Sequence, residues 1–141
     1  MSLGRRLLIE GYSPDELLAL PDQAIEQLAI GAGPFVVRAG SASILGEIRI
    51  VGECITVELA HIDGGGKRVL PGISSFIHRY ARLRRMERVE WIVHAATCAR
   101  PNLELRRVLI RRGFQLVDRG GSPVYRLLEE VAAGSARHRH Q

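Results

Sequence analysis

Apolar residues recur with two different periods along the chain, and the changes of period mark its elements. Ser13-Pro14-Asp15-Glu16 predicts a helix start: serine suits the cap, proline the first helical position, and the acids the first turn. Leu17, Leu18, Ile25 and Leu28 continue a helical stripe that Pro21 interrupts, and Gly31-Ala32-Gly33-Pro34 ends it. Strand-like runs follow at Phe35–Arg38, Ser43–Val51 and Cys54–Ile62. In the last of these Ile55, Val57 and Leu59 alternate with Thr56, Glu58 and Ala60. Turns at Gly40 and Gly52-Glu53 make these three an antiparallel meander. A glycine-rich loop, Asp63 to Gly72, leads into a helix from about Ile73 to Met86. Its predicted buried stripe is Ile73, Phe76, Ile77, Tyr80 and Leu83, with Arg79, Arg82 and Arg85 mostly on the other side. Val89–Ala95 reads as a strand. Pro101-Asn102 opens a helix with Leu105, Val108 and Leu109 on one face, and Gly113 ends it. Phe114–Val117 and Val124–Leu128 read as a closing pair of strands around a Gly-Gly turn.

Strand, helix, strand between Cys54 and Ala95 forms a βαβ unit, which makes its two strands parallel. The expected fold is therefore α/β: a mixed, mostly antiparallel sheet of about six strands flanked by three or four helices. With 141 residues and no linker-like stretch, residues 1–131 read as one domain and 132–141 as a disordered basic tail.

Composition narrows the setting. Apolar residues make up 46% and charged residues 25%, which excludes a disordered chain. No apolar run has the length of a membrane span, and Leu7-Leu8-Ile9 is too short for a secretory signal. Cys54 and Cys98 sit in or beside apolar segments and read as free thiols, so the expected compartment is the reducing cytoplasm. His138 and His140 on the tail make a poor metal site, and no metal is expected. The net charge of +5 favours anionic partners, among them CoA phosphates, nucleic acid and acidic protein, without choosing between them.

The element order resembles the Gcn5-related N-acetyltransferase (GNAT) fold from about residue 13 to 129. The sharpest match is the Val89–Ala95 strand, then Asn102 opening a helix, then Gly113-Phe114 eleven residues after that asparagine. The Gly-Gly turn and Val124-Tyr125-Arg126-Leu127 are similar to the family's closing hairpin. In the cofactor loop, Val69-Leu70-Pro71-Gly72-Ile73-Ser74 keeps the glycine at Gly72. Val69 stands where the family has a basic residue or glutamine, and Ser74 where it has glycine or alanine. The resemblance implies acetyl-CoA or another acyl-CoA as cofactor. Ile62, Leu70, Gly72, Ile73, Ser74 and Asn102 would then line its site, with Lys67 and Arg68 supplying positive charge. Backbone N–H groups at a helix start bind pyrophosphate without needing particular side chains. Many GNAT enzymes carry a tyrosine seven residues after the asparagine, thought to protonate the leaving thiolate; here that residue is Leu109.

By the same resemblance the strand before the loop, Cys54–Ile62, borders the reaction, and its titratable side chains are Glu58 and His61. Either is a candidate base. The plainer readings are a half-solvated histidine at a strand end and a salt-bridged strand glutamate. Three residues apart, the two point to opposite faces unless a bulge intervenes. Cys98 and His94 read as structural, and Tyr80 and Trp91 as core residues.

Three functional readings follow. One is an N-acyltransferase acting on a primary amine of a small molecule or protein. Another is a GNAT-like module without catalysis, binding CoA or a protein partner. A third is nucleic-acid binding through arginines 79, 82, 84 and 85 and 106, 107, 111 and 112. For that third reading, solvated helix faces balanced by Glu87, Glu90 and Glu104 are the simpler explanation. No membrane association is expected, and a homodimer is compatible with the sequence.

Overall fold

The fold is taken from a computed structural model, which describes residues 7–9, 12–29, 34–39, 42–63, 69–95 and 103–131. The expected basic tail, the glycine run at 64–66, Lys67, Arg68, Cys98 and Asn102 lie outside the described residues. In chain order the elements are β1 (Leu7–Ile9), α1 (Pro14–Leu18), α2 (Asp22–Ala29), β2 (Phe35–Ala39), β3 (Ala42–Val51) and β4 (Cys54–Asp63). They continue with α3 (Leu70–Leu83), β5 (Arg88–Val93), α4 (Leu103–Arg111), β6 (Gln115–Arg119) and β7 (Ser122–Glu130).

The mixed α/β architecture expected from the GNAT resemblance is the one observed. Among the described residues the strands form a sheet in the order β1-β2-β3-β4-β5-β7-β6. Strands β4 and β5 are parallel, in register Cys54↔Arg88 to Leu59↔Val93, and α3 joins them. The other neighbouring pairs in that order are antiparallel. The sheet of the described residues has seven strands rather than six. The extra one, β1, is three residues long and follows two arginines, so it carries too little pattern to be read from sequence.

Local chemistry explains most boundaries. Ser13 caps α1 through a reciprocal capping box with Glu16: the Glu16 N–H donates to Ser13 Oγ and the Ser13 N–H to Glu16 Oε1. Pro21 separates α1 from α2. Gly120 and Gly121, both at positive φ, close the β6–β7 hairpin. Gly113, at φ 99°, ends α4.

The main correction concerns α3, which begins and ends about three residues earlier than its sequence suggests. Pro71 and Gly72 lie inside its first turn, because a proline there has a preset φ and loses no helical hydrogen bond. At its other end Met86 N–H donates to Ala81 O and Arg85 N–H to Arg82 O. This is a Schellman closure with Arg85 at φ 57° where glycine is usual. Leu83, placed in the buried stripe from sequence, is consequently 64% exposed.

One side of the sheet carries the hydrophobic core. Its strand residues, including Val37, Ile48, Val57, Leu59, Trp91, Val93 and Tyr125, all point to that side. Leu17, Ile25, Ile73, Phe76, Ile77, Tyr80, Leu105 and Leu109 join them, so α1, α2, α3 and α4 each contribute to that core. The opposite side of the central strands carries Arg49, Thr56, Glu58, Glu90, Ile92 and Arg126. Among the helices of the described residues, none is long and apolar enough to cross a membrane.

Candidate active site

Strands β4 and β5 pair as far as Leu59↔Val93. The last bond between them runs from the His94 N–H to Leu59 O, at 2.9 Å. Beyond it, among the described residues, β4 continues along β3 with no further bond to β5. Its register passes from Leu45↔Ala60 to Ser43↔Asp63, so His61 and Ile62 together oppose Ile44. This is a β-bulge with His61 at φ 50°. Where two parallel strands stop pairing, here called their parting, the backbone groups beyond the last bond lose their ladder partners across that edge.

Two side chains meet at this parting. The imidazole of His94 reaches Glu58, with Nε2 2.5 Å from Oε2. Glu58 also accepts from Arg49 Nη2 at 2.9 Å and Arg119 Nη1 at 3.0 Å. Partial burial pushes the Glu58 carboxyl up, but the hydrogen bonds from His94, Arg49 and Arg119 together outweigh it and hold it at about 2. Glu58 therefore stays a carboxylate. A group that releases its proton so readily is a weak base, which counts against the base role considered for it above. Its position suits it to orienting His94 and stabilising that ring when it gains a proton. Two residues before Glu58, Thr56 Oγ1 donates to Glu90 Oε1 at 3.0 Å, and Arg126 Nε donates to Glu90 Oε2 at 2.7 Å. Burial again opposes these bonds, and the Glu90 carboxyl lies below its usual range.

The other sequence-derived candidates fall into place around this pair. His61 sits in the bulge, exposed, and is not among the partners of Glu58. Ile62 is half-buried against the core. Leu70 and Ile73 turn their side chains into the core, so only their backbone is available to a ligand. Gly72 is half-buried in the first turn of α3. Ser74 Oγ lies 3.4 Å from His78 Nδ1. The start of α3 has no side-chain cap; Ile73 is the first residue whose N–H bonds within the helix, to Val69 O. The N–H groups of Val69, Leu70 and Gly72 thus have no intrahelical partner, which fits the requirements of an anion such as a pyrophosphate. Leu109 is fully buried in the core.

His94 is the residue that sequence reading passed over. Its signal was present in the pairing: Glu58 stands opposite Ile92 in the parallel register, and side chains two apart share a face. Finding it required the register, which is not local to either strand.

No protein-family model matches the chain, and no curated protein matches it. Among solved structures, Ard1 from Thermoplasma volcanium is similar at 18% identity and TM-score 0.42, over 89% of this chain and 98% of that one. An acetyltransferase from Thermus thermophilus is similar at 17% identity and TM-score 0.38, over 69% of this chain. The aligned part is 62% of that protein, less than two thirds of its length.

Proposed function

We propose that the protein is an N-acyltransferase that uses acetyl-CoA or another acyl-CoA and acts on a primary amine, with His94 accepting the amine proton. The observation that carries this reading is the parting of β4 and β5 beyond Leu59 and Val93. It has the His94–Glu58 pair at its edge, and the uncapped start of α3 follows β4 in the chain. When bound, acyl-CoA supplies an activated acyl carbonyl and a thiolate leaving group. The N–H groups of Val69, Leu70 and Gly72 hold its pyrophosphate, and Gly72 lets the backbone approach closely. Lys67, Arg68 and Asn102 are assigned to the same cofactor from the GNAT resemblance, along with the backbone of Ile62, Ile73 and Ser74. Glu58 holds the His94 ring by Nε2, which leaves the other ring nitrogen, Nδ1, to take the amine proton. Most of the acceleration comes from holding amine and acyl carbonyl together, with proton removal adding to it.

One observation favours a second reading, a CoA-binding module without catalysis. Leu109 occupies the position where the resemblance implies a thiolate-protonating tyrosine, and it is packed in the core with no proton to give. Calorimetric titration with acetyl-CoA and CoA, followed by an amine-acceptor screen, separates the two. Binding with turnover supports the enzyme, and binding without turnover supports the module. Absence of binding at millimolar cofactor overturns both.

A further inference from the structure

On the sheet face away from the core, beside the parting, lies a cleft of about 430 Å³. Ile92, Val117 and Val124 contribute apolar surface to it. Ile92 and Val124 are buried yet stand apart from the main core, so they form an apolar floor of their own. Arg49, Arg119 and Arg126 also line the cleft.

These three guanidinium groups are held in place by acids. Arg49 and Arg119 share Glu58, and Arg126 is fixed by Glu90, which Thr56 also holds. Among the described residues these bonds use one nitrogen of Arg119 and one of Arg126. A guanidinium carries five N–H donors, so each keeps donors for a ligand. A planar fork already fixed by one carboxylate is prepared to take another in bidentate fashion with little loss of side-chain freedom. Glu47, Glu58, Glu90 and Asp118 offset the positive charge nearby. These four acids outnumber the three guanidinium groups, so the cleft does not suit a polyanion such as nucleic acid, and a carboxylate is held there by the free N–H donors of Arg119 and Arg126 and not by an excess of positive charge.

Spacing sets the size of the ligand. Thr56 and Glu90 are paired in the cleft, and three residues further along both strands Leu59 and Val93 mark the parting. At about 3.3 Å per strand residue, the Thr56–Glu90 end of the cleft, where Arg126 is fixed, lies about 10 Å from the place where the amine reacts. We infer that the acceptor is a primary amine carrying a carboxylate about 10 Å away, held by Arg119 and Arg126, with apolar substance between them resting on Ile92 and Val124. An extended tripeptide and a long ω-amino acid share this chemistry. The inference rests on the acyltransferase reading for the amine end, and on the cleft alone for the carboxylate end.

The test uses the full chain with tri-leucine, tri-leucine amide and aminooctanoate, each titrated by calorimetry and each assayed for acetylation from acetyl-CoA by mass spectrometry. Tri-leucine is expected to bind at least about tenfold more tightly than its amide, one good charge-assisted contact. Arg119→Ala and Arg126→Ala are expected to remove that preference while a thermal melt confirms folding, and Arg126→Lys to restore part of it. Aminooctanoate binding as well as tri-leucine assigns recognition to the two charged ends alone; weaker binding assigns a share to the peptide. Equal binding of peptide and amide, or no binding of any of the three, overturns the inference. Carboxylate-dependent binding without acetylation keeps the cleft and removes the acyltransferase reading.

Discussion

Glu58 and His94 lie 36 residues apart in the chain, on neighbouring parallel strands, and meet through Oε2 and Nε2 where those strands part. The carboxylate cannot readily take a proton, and the ring it holds has a second nitrogen with which to do so. Replacing His94 with glutamine is expected to lower kcat for acyl transfer by about 10²- to 10⁴-fold, the usual weight of general-base catalysis. Acetyl-CoA affinity, measured by calorimetry, should stay unchanged. A comparable loss of affinity would show that His94 supports the cofactor site and not proton transfer.

The same pair gives a pH signature in stability. The Glu58 carboxyl is lowered from 4.5 to about 2 in the folded protein, so between those values the unfolded chain binds more protons. The stability this supplies is complete above pH 4.5 and is lost as pH falls toward 2. Thermal melts of the protein and of Glu58→Gln across that window should show the variant falling less steeply with acid. Parallel slopes would place the acid sensitivity elsewhere, Glu90 being the next candidate because its carboxyl is lowered too.

Arg85 closes α3 in a left-handed conformation that an L side chain adopts at a cost of about 1 kcal/mol. Its side chain is exposed. Arg85→Gly is expected to raise stability by up to about 1 kcal/mol, reduced by the greater freedom of glycine in the unfolded chain. Chemical denaturation reads this directly: the midpoint should rise with an unchanged slope.

Gly46 is buried on β3 beneath the ring of Phe35. A Cβ there would lie 2.8 Å from Phe35 Cε1 and 3.4 Å from Leu59 Cδ2. Gly46→Ala is expected to destabilise by about 1–3 kcal/mol through overpacking. The double variant Gly46→Ala with Phe35→Leu should recover part of that loss, because the shorter side chain vacates the contact. No recovery would mean that the backbone of β3, not the ring, sets the limit.

Much of this protein was legible along the chain because the signals are local. The capping box at Ser13 and Glu16, the alternation from Ile55 to Leu59, the Gly120-Gly121 hairpin and the glycine end of α4 each act within a few residues. The βαβ order was enough to make β4 and β5 parallel. What stayed hidden depended on contacts between distant segments. The closure of α3 at an arginine carries no glycine to announce it. The bulge at His61 exists only against Ile44 of β3. His94 reads as a structural histidine inside a strand until the parallel register sets it beside Glu58. Arg49, Arg119 and Arg126 belong to three strands and come together only once the sheet is assembled. Hydrophobic period and turn chemistry are properties of neighbouring residues, so the sequence by itself determined the elements and their order. The bulge, the parting of the strands and the pairing of charges depend on strand register, which only the tertiary structure decided.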